Sequence, residues 1–206
     1  TSSDSLSGVH NILKSKCDDI YISSYAVRPQ PVFKNAMVNT SILAFRKSGK
    51  PCSGIYATKM YRKGKNFNLQ MLVEHLQFVE VKELMLFGRI PKISLEMEKD
   101  ILKKLSGCDK LKLYERNLGS DIYYRTSGGR YFKVVTNYST GSSKEKPIVL
   151  DEKYANALGC ILSSNLSFWF YQIYSNNLDW KSDEIENTPI PPLSNDTIEK
   201  LDELYK

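Results

Sequence analysis

The sequence predicts an α/β first part, residues 1–88, followed by an α+β second part, residues 89–206. Three observations lead there. Helix-period and strand-period apolar patterns alternate through the first 76 residues. One of those strands is nearly continuous in apolar residues, as in sheets covered on both faces. The second part instead sets an aromatic-rich hairpin among helical segments. With 206 residues, 41% hydrophobic and 25% charged, the chain has the composition of a folding globular protein.

The elements follow in order. Residues 5–17 read as a helix, because Leu6, Val9, Ile12 and Leu13 fall at helical spacing. Residues 18–26 read as a strand with Ile20 and Ile22 on one face and Tyr21 and Ser23 on the other. Pro29 and Pro31 end it, in a loop that carries Phe33. The run Ile42-Leu43-Ala44-Phe45 makes residues 40–46 a second strand, expected to be buried on both faces. Ser48-Gly49-Lys50-Pro51 is a turn so short that residues 54–62 are expected to pair with that strand as an antiparallel neighbour. Residues 67–76 read as helical, and 76–82 as a partly exposed strand.

The second part begins beyond Gly88. Residues 90–94 look like a linker ending in Ser94 as a helix N-cap, ahead of the stripe Leu95, Ile101, Leu102 and Leu105. Residues 121–126 and 130–136 are strands around Ser127-Gly128-Gly129. Residues 137–146 form a polar basic loop. Residues 154–174 read as the longest helix, with Leu158, Ile161, Leu162, Leu166, Trp169, Phe170 and Ile173 inward. A rigid extended stop at 187–193 precedes a terminal helix from Asn195.

Charge is distributed unevenly. The net charge is +6 and the pI about 9.0. No acid occurs between Ile20 and Val73, while Arg28, Lys34, Arg46, Lys47, Lys50, Lys59, Arg62, Lys63 and Lys65 are basic. Residues 110–146 are also basic on balance, and 176–206 are acidic. A basic body with an acidic end is the footprint of a polyanion binder. No run approaches the roughly 20 apolar residues of a membrane helix. The polar start lacks the pattern of a signal peptide, and no Met opens the chain, so a piece of a longer cytoplasmic protein is expected. Cys17, Cys52, Cys108 and Cys160 lie far apart, and His10 and His75 are the two histidines, which argues against zinc and against a disulfide framework.

The catalytic inventory is thin. Neither a phosphate-binding glycine motif nor a zinc-protease motif is present. Glu80-Val81-Lys82 is half of a magnesium nuclease site, but the second carboxylate that would anchor the metal is missing nearby. Binding features are richer. In the hairpin, Arg125, Arg130 and Lys133 alternate with Tyr123, Tyr124, Tyr131 and Phe132, so cations can reach phosphates and aromatics can stack on bases. The competing reading makes the aromatics core residues and the cations a solvated turn. Ser142, Ser143, Lys144 and Lys146 could clamp a phosphate in the following loop. Lys59, Arg62 and Lys63 offer a second basic group.

Several segments, in this order, resemble one family. Residues 25–36 (Tyr-Ala-Val-Arg-Pro-Gln-Pro-Val-Phe-Lys-Asn-Ala) with Asn39-Thr40-Ser41-Ile42-Leu43 resemble the region after the catalytic motif of adenine-specific (N6) DNA methyltransferases. The likeness is to the large type IIG-like restriction-modification enzymes, which fuse methyltransferase and target-recognition parts. Ile122-Tyr123-Tyr124-Arg125 with Gly129-Arg130-Tyr131-Phe132 resembles their C-terminal region, as do residues 162–170 and 185–191. The resemblance implies that 1–88 holds closing strands of a Rossmann-like methyltransferase sheet and 89–206 a DNA-clasping target-recognition domain. It implies double-stranded DNA and a missing N-terminal methyltransferase portion as partners, with S-adenosylmethionine the cofactor of the parent enzyme. The family's glycine loop and Asn-Pro-Pro-Tyr signature do not occur in this chain, so no catalytic, cofactor or metal residue is assigned to it. A stand-alone nucleic-acid-binding module is the alternative expectation.

Overall fold

A computed structural model describes residues 6–33, 35, 37–64, 68–128, 133 and 135–205. Packing of the chain divides it into units 1–103 and 104–206, so residues 89–103 cluster with the first. The architecture is mixed α/β, with seven α-helices, a four-stranded mixed sheet and two small antiparallel sheets among the described residues. No described helix is long and apolar enough to cross a membrane.

In the first unit α1 (Ser7–Lys16) runs directly into β1 (Cys17–Tyr25), followed by β2 (Thr40–Lys47) and β3 (Ile55–Tyr61). After α2 (Leu69–Glu74) comes the two-residue β4 (Val79–Glu80). The sheet order is β2-β1-β3-β4. β1 is antiparallel to β2 and parallel to β3, so the expected β2–β3 pairing does not form. The two strands do run in opposite directions, but β1 lies between them. The reason is where the intervening turn is fastened. Ser48 N and Gly49 N both donate to the Lys16 carbonyl at 3.0 Å, and Cys52 N donates to the Lys14 carbonyl at 2.8 Å. The turn is thereby tied to the end of α1 and carries the chain across β1.

One face of this sheet holds Ile20, Ile22, Ile55, Ala57 and Val79, all buried. β2 is another matter. Its burial was expected on both faces, yet Ile42, Leu43 and Phe45 are 41%, 42% and 51% exposed. α1 likewise buries His10 and Leu13 but leaves Val9 and Ile12 exposed, as is Leu6 just before it.

The segment 90–94, expected as a linker, is buried. It leads into α3 (Glu96–Ser106), in which Leu102 and Leu105 are buried. The Ser94 hydroxyl is not the cap. Glu98 folds back instead, accepting from Ser94 N at 2.8 Å and Leu95 N at 3.0 Å. A carboxylate at a helix start satisfies free N–H groups and favours the helix dipole.

In the second unit β5 (Asp109–Lys110) pairs with the distant β9 (Pro189–Ile190). β6 (Glu115–Arg125) is the centre of a sheet ordered β7-β6-β8, with β7 (Val135–Thr136) and β8 (Glu145–Leu150). The expected long helix is two, α4 (Ala155–Leu162) and α5 (Asn165–Tyr174). Ser164 has an extended backbone and accepts from Ser167 N at 3.2 Å, a side-chain N-cap that starts a new helix. α6 (Ser182–Glu186) and α7 (Asn195–Tyr205) complete the unit. Its core joins Ile122, Tyr124, Leu150, Leu158, Tyr171 and Trp180.

Candidate nucleic-acid interface

Lys59, Arg62 and Lys63 lie where β3 ends. The β1–β3 register shifts between Ile22 and Ser24, because β3 bulges at Thr58 and Lys59. Buried Thr58 fills the bulge: its hydroxyl accepts from Ser24 N at 3.3 Å and donates to the Lys59 carbonyl at 2.8 Å. Bulges re-aim side chains, and here Lys59 is turned out, its ammonium 5.6 Å from the Tyr61 ring centre. Arg62 is exposed and Lys63 half-buried, bridged to Gln30. The parallel pair β1–β3 ends beside this group, since Tyr25 is opposite Tyr61. In open α/β sheets ligands gather outside the carboxyl ends of parallel strands.

The second group is built on the end of the β6–β8 ladder. Tyr124 faces Lys146 and Arg125 faces Glu145 in register. Beyond them Thr126 N donates to the Lys144 carbonyl at 2.7 Å, and its hydroxyl donates there at 2.9 Å. Three successive rungs therefore carry Arg125, Lys144 and Lys146, all exposed. Lys144 and Lys146 lie on the face of Thr126 and Tyr124, and Arg125 on the opposite one, so the end of the ladder carries cations on both faces. The end of the ladder is anchored to the core. Tyr124 is 2% exposed and meets Trp180 edge-on at 5.8 Å, while Trp180 N donates to the Thr126 carbonyl at 2.6 Å. The expected alternation holds: Ile122 and Tyr124 point into the core, Tyr123 and Arg125 away from it.

Arg125 Nε donates to the Ser127 carbonyl at 3.1 Å, next to Gly128 at φ 76°. The 126–128 turn is thus held by Arg125 as well as by Lys144 and Trp180. Arg130, with Tyr131 and Phe132, lies outside the described residues.

Lys133 goes elsewhere. It is 7% exposed, its ammonium donates to the Gly128 carbonyl at 3.2 Å, and it sits 4.3 Å from the Tyr171 ring centre. Burial pulls its pKa down to about 8, against the opposing pull of Glu184 and Asp179. A cation so enclosed is held in the core rather than offered to a phosphate.

The serine-rich loop already holds an anion. The Glu145 carboxylate accepts from the Ser139 hydroxyl at 2.8 Å and from the Thr140 N–H and hydroxyl. Those hydrogen bonds, Thr140 first, lower its pKa. The hydroxyl and N–H donors at 139–140 are therefore occupied from within the loop. Ser142 caps the turn, its hydroxyl accepting from Lys144 N at 3.3 Å and its carbonyl from Glu145 N at 3.0 Å. Ser143 is exposed. Sequence reasoning missed Glu145 as a built-in counter-ion, although Lys144-Glu145-Lys146 after a Ser/Thr cluster was the visible signal.

The nuclease half-site does not assemble. Lys82 spends its ammonium on the Cys52 carbonyl at 3.0 Å, and Glu80 accepts from Lys82 N at 2.9 Å with Lys99 3.7 Å away. Among the described residues no group of three metal-ligating side chains exists. No protein-family model matches the chain, and neither a curated protein nor a solved structure matches it.

Proposed function

We propose that this chain is the DNA-binding C-terminal part of an adenine-specific, S-adenosylmethionine-dependent DNA methyltransferase of a restriction-modification system. It contributes target recognition and does no chemistry of its own. The observation that carries the DNA-binding half of this reading is the cationic end of the β6–β8 ladder, where Arg125, Lys144 and Lys146 are exposed beside the Tyr124–Trp180 core. Fixed cations on a rigid ladder lose little entropy when a phosphate arrives, and phosphate contacts set register on a duplex.

Support for the enzymatic parent comes from the ordered resemblance of the four segments. An enzyme that extrudes a base must grip a distorted duplex, so basic walls away from the catalytic pocket suit it. Lys59, Arg62 and Lys63 at the carboxyl end of the β1–β3 pair, and separately the cations at the end of the β6–β8 ladder, would each meet phosphates.

The test is duplex binding by fluorescence anisotropy across a salt series. Reversing Arg125, Lys144 and Lys146 to Glu together should weaken binding at least tenfold. It should also flatten the log–log salt dependence by about three, one counter-ion for each phosphate no longer neutralised. Unchanged affinity and slope would remove DNA recognition from this ladder. Methyl transfer to adenine by the full polypeptide tests the enzymatic parent separately.

A further inference from the structure

The end of the β6–β8 ladder holds an anion supplied by the chain itself. Two consecutive residues offer three donors that converge on the Glu145 carboxylate: the Ser139 hydroxyl at 2.8 Å, the Thr140 N–H at 3.0 Å and the Thr140 hydroxyl. Donors gathered on one oxyanion make a cradle that suits any oxyanion of similar size. The backbone shapes it. Gly141 has φ 71°, a left-handed conformation that glycine adopts without strain, and its N–H donates to the Ser139 hydroxyl oxygen at 3.2 Å. That oxygen accepts from Gly141, so its own hydrogen is turned to the carboxylate.

The Glu145 side chain is not what closes the loop. Glu145 N donates to the Ser142 carbonyl at 3.0 Å, Lys144 N to the Ser142 hydroxyl oxygen at 3.3 Å, and the Thr136 hydroxyl to the Tyr138 carbonyl at 2.7 Å. The Lys144 carbonyl is fastened to Thr126 across the ladder. None of these bonds uses the Glu145 carboxylate. Ser139 and Thr140 are exposed, so another acceptor can replace that carboxylate at little net cost.

The surroundings favour a second anion. Arg125 is directly opposite Glu145 and on the same face, where the Cβ atoms of such a pair lie about 5 Å apart. Arg125 spends its Nε on the Ser127 carbonyl rather than on Glu145, and its terminal nitrogens remain for a ligand. Lys144 and Lys146 stand on the other face of the same rungs. Once they hold a nucleic-acid strand, its next phosphate competes with Glu145 from within the complex, at high effective concentration.

We propose that Ser139, Thr140 and Arg125 form a phosphodiester subsite that Glu145 fills in the free chain and vacates when DNA binds. Glu145 is then an autoinhibitory stand-in for a phosphate: it keeps the donors ordered and makes any free anion compete with a tethered carboxylate. The inference rests on the proposed DNA binding and names where one backbone phosphate seats.

Two probes test it on the chain: duplex DNA followed by fluorescence anisotropy, and dimethyl phosphate followed by the amide NMR shift of Thr140. Glu145→Ala should raise duplex affinity by about tenfold, and Glu145→Gln, closest in shape, should act in the same direction. Dimethyl phosphate should move the Thr140 amide saturably in Glu145→Ala and far less in the parent chain. In a Ser139→Ala, Thr140→Val background the same Glu145→Ala change should gain no more than about twofold, the effect of removing one exposed charge. A gain that survives in that background overturns the inference, because it is charge removal alone. So does a loss of affinity in both the Ala and Gln variants, which would make Glu145 a structural latch, or a Thr140 amide that ignores dimethyl phosphate in Glu145→Ala. Thr140 responding to dimethyl phosphate while no variant binds duplex keeps the subsite and removes DNA recognition; duplex binding with Thr140 silent does the reverse.

Discussion

Trp180 and Phe45 are both large aromatic residues, yet one is 2% exposed and the other 51%. The difference follows the division of the chain. In 104–206 the helices close over one face of a small sheet, and Trp180 fills the space between Tyr124 and Tyr171 at 5.8 and 5.9 Å. In 1–103 the sheet ends, among the described residues, at a strand with no neighbour beyond it. Sixteen of the twenty-two exposed large apolar side chains among the described residues belong to this first unit. The two units have equal length, so size does not explain the imbalance. An apolar run reports that a segment needs cover, and says nothing about which chain segment supplies it.

Substitutions can break or sharpen that contrast. Trp180→Ala should cost about 3–5 kcal/mol in urea unfolding, as for large aromatics removed from a packed core. It should also weaken DNA binding by loosening the 126–128 turn. Gly119→Ala should cost roughly 3 kcal/mol, because a Cβ there would stand 2.1 Å from the Leu150 carbonyl oxygen, a backbone atom with little freedom to retreat. A loss below about 0.5 kcal/mol would mean that the β6–β8 crossing is looser than this spacing implies.

Lys133→Met should have the opposite sign. Burial lowers the Lys133 pKa from 10.5 to about 8, so the folded chain loses that proton before the unfolded chain does. Between about pH 8 and 10.5 the unfolded state binds more protons, and stability rises with pH. Below pH 8 the full desolvation cost is present. The methionine should therefore add about 2 kcal/mol at pH 7 and flatten the rise between pH 8 and 10, measured by urea midpoints across pH. Smallest is Phe45→Ala, expected within about 0.5 kcal/mol in the chain alone because the side chain is half in water. A cost near that of Trp180→Ala would show that β2 is covered after all.

Most of the element positions were legible along the chain. The apolar spacing of α1, the alternation in β1 and the Ser127-Gly128 turn are local signals, and each element stands where they point. The break between α4 and α5 escaped because the apolar stripe runs through Ser163-Ser164, and a serine cap outweighs a periodic pattern only once the backbone turns extended. β8 escaped because Pro147-Ile148-Val149-Leu150 is short and abuts a polar loop. Its strand character comes from pairing with β6. Of the candidate site, Arg125, Lys144 and Lys146 were readable as exposed cations near a turn. Lys133 was not separable from them, although its ammonium ends against the ring of Tyr171, far along the chain.

The sequence by itself determined most of the element positions, the acid-free basic stretch, and the faces of β6 that point in and out. These depend on residues within a few positions of one another, where backbone period and side-chain direction are set locally. Only the tertiary structure decided that β1 separates β2 from β3, that Glu145 fills its own loop, and that β2 stands bare. Each of those depends on which distant groups meet. Pairing, desolvation and cover are properties of contacts, and a contact between residues far apart leaves no period in the chain.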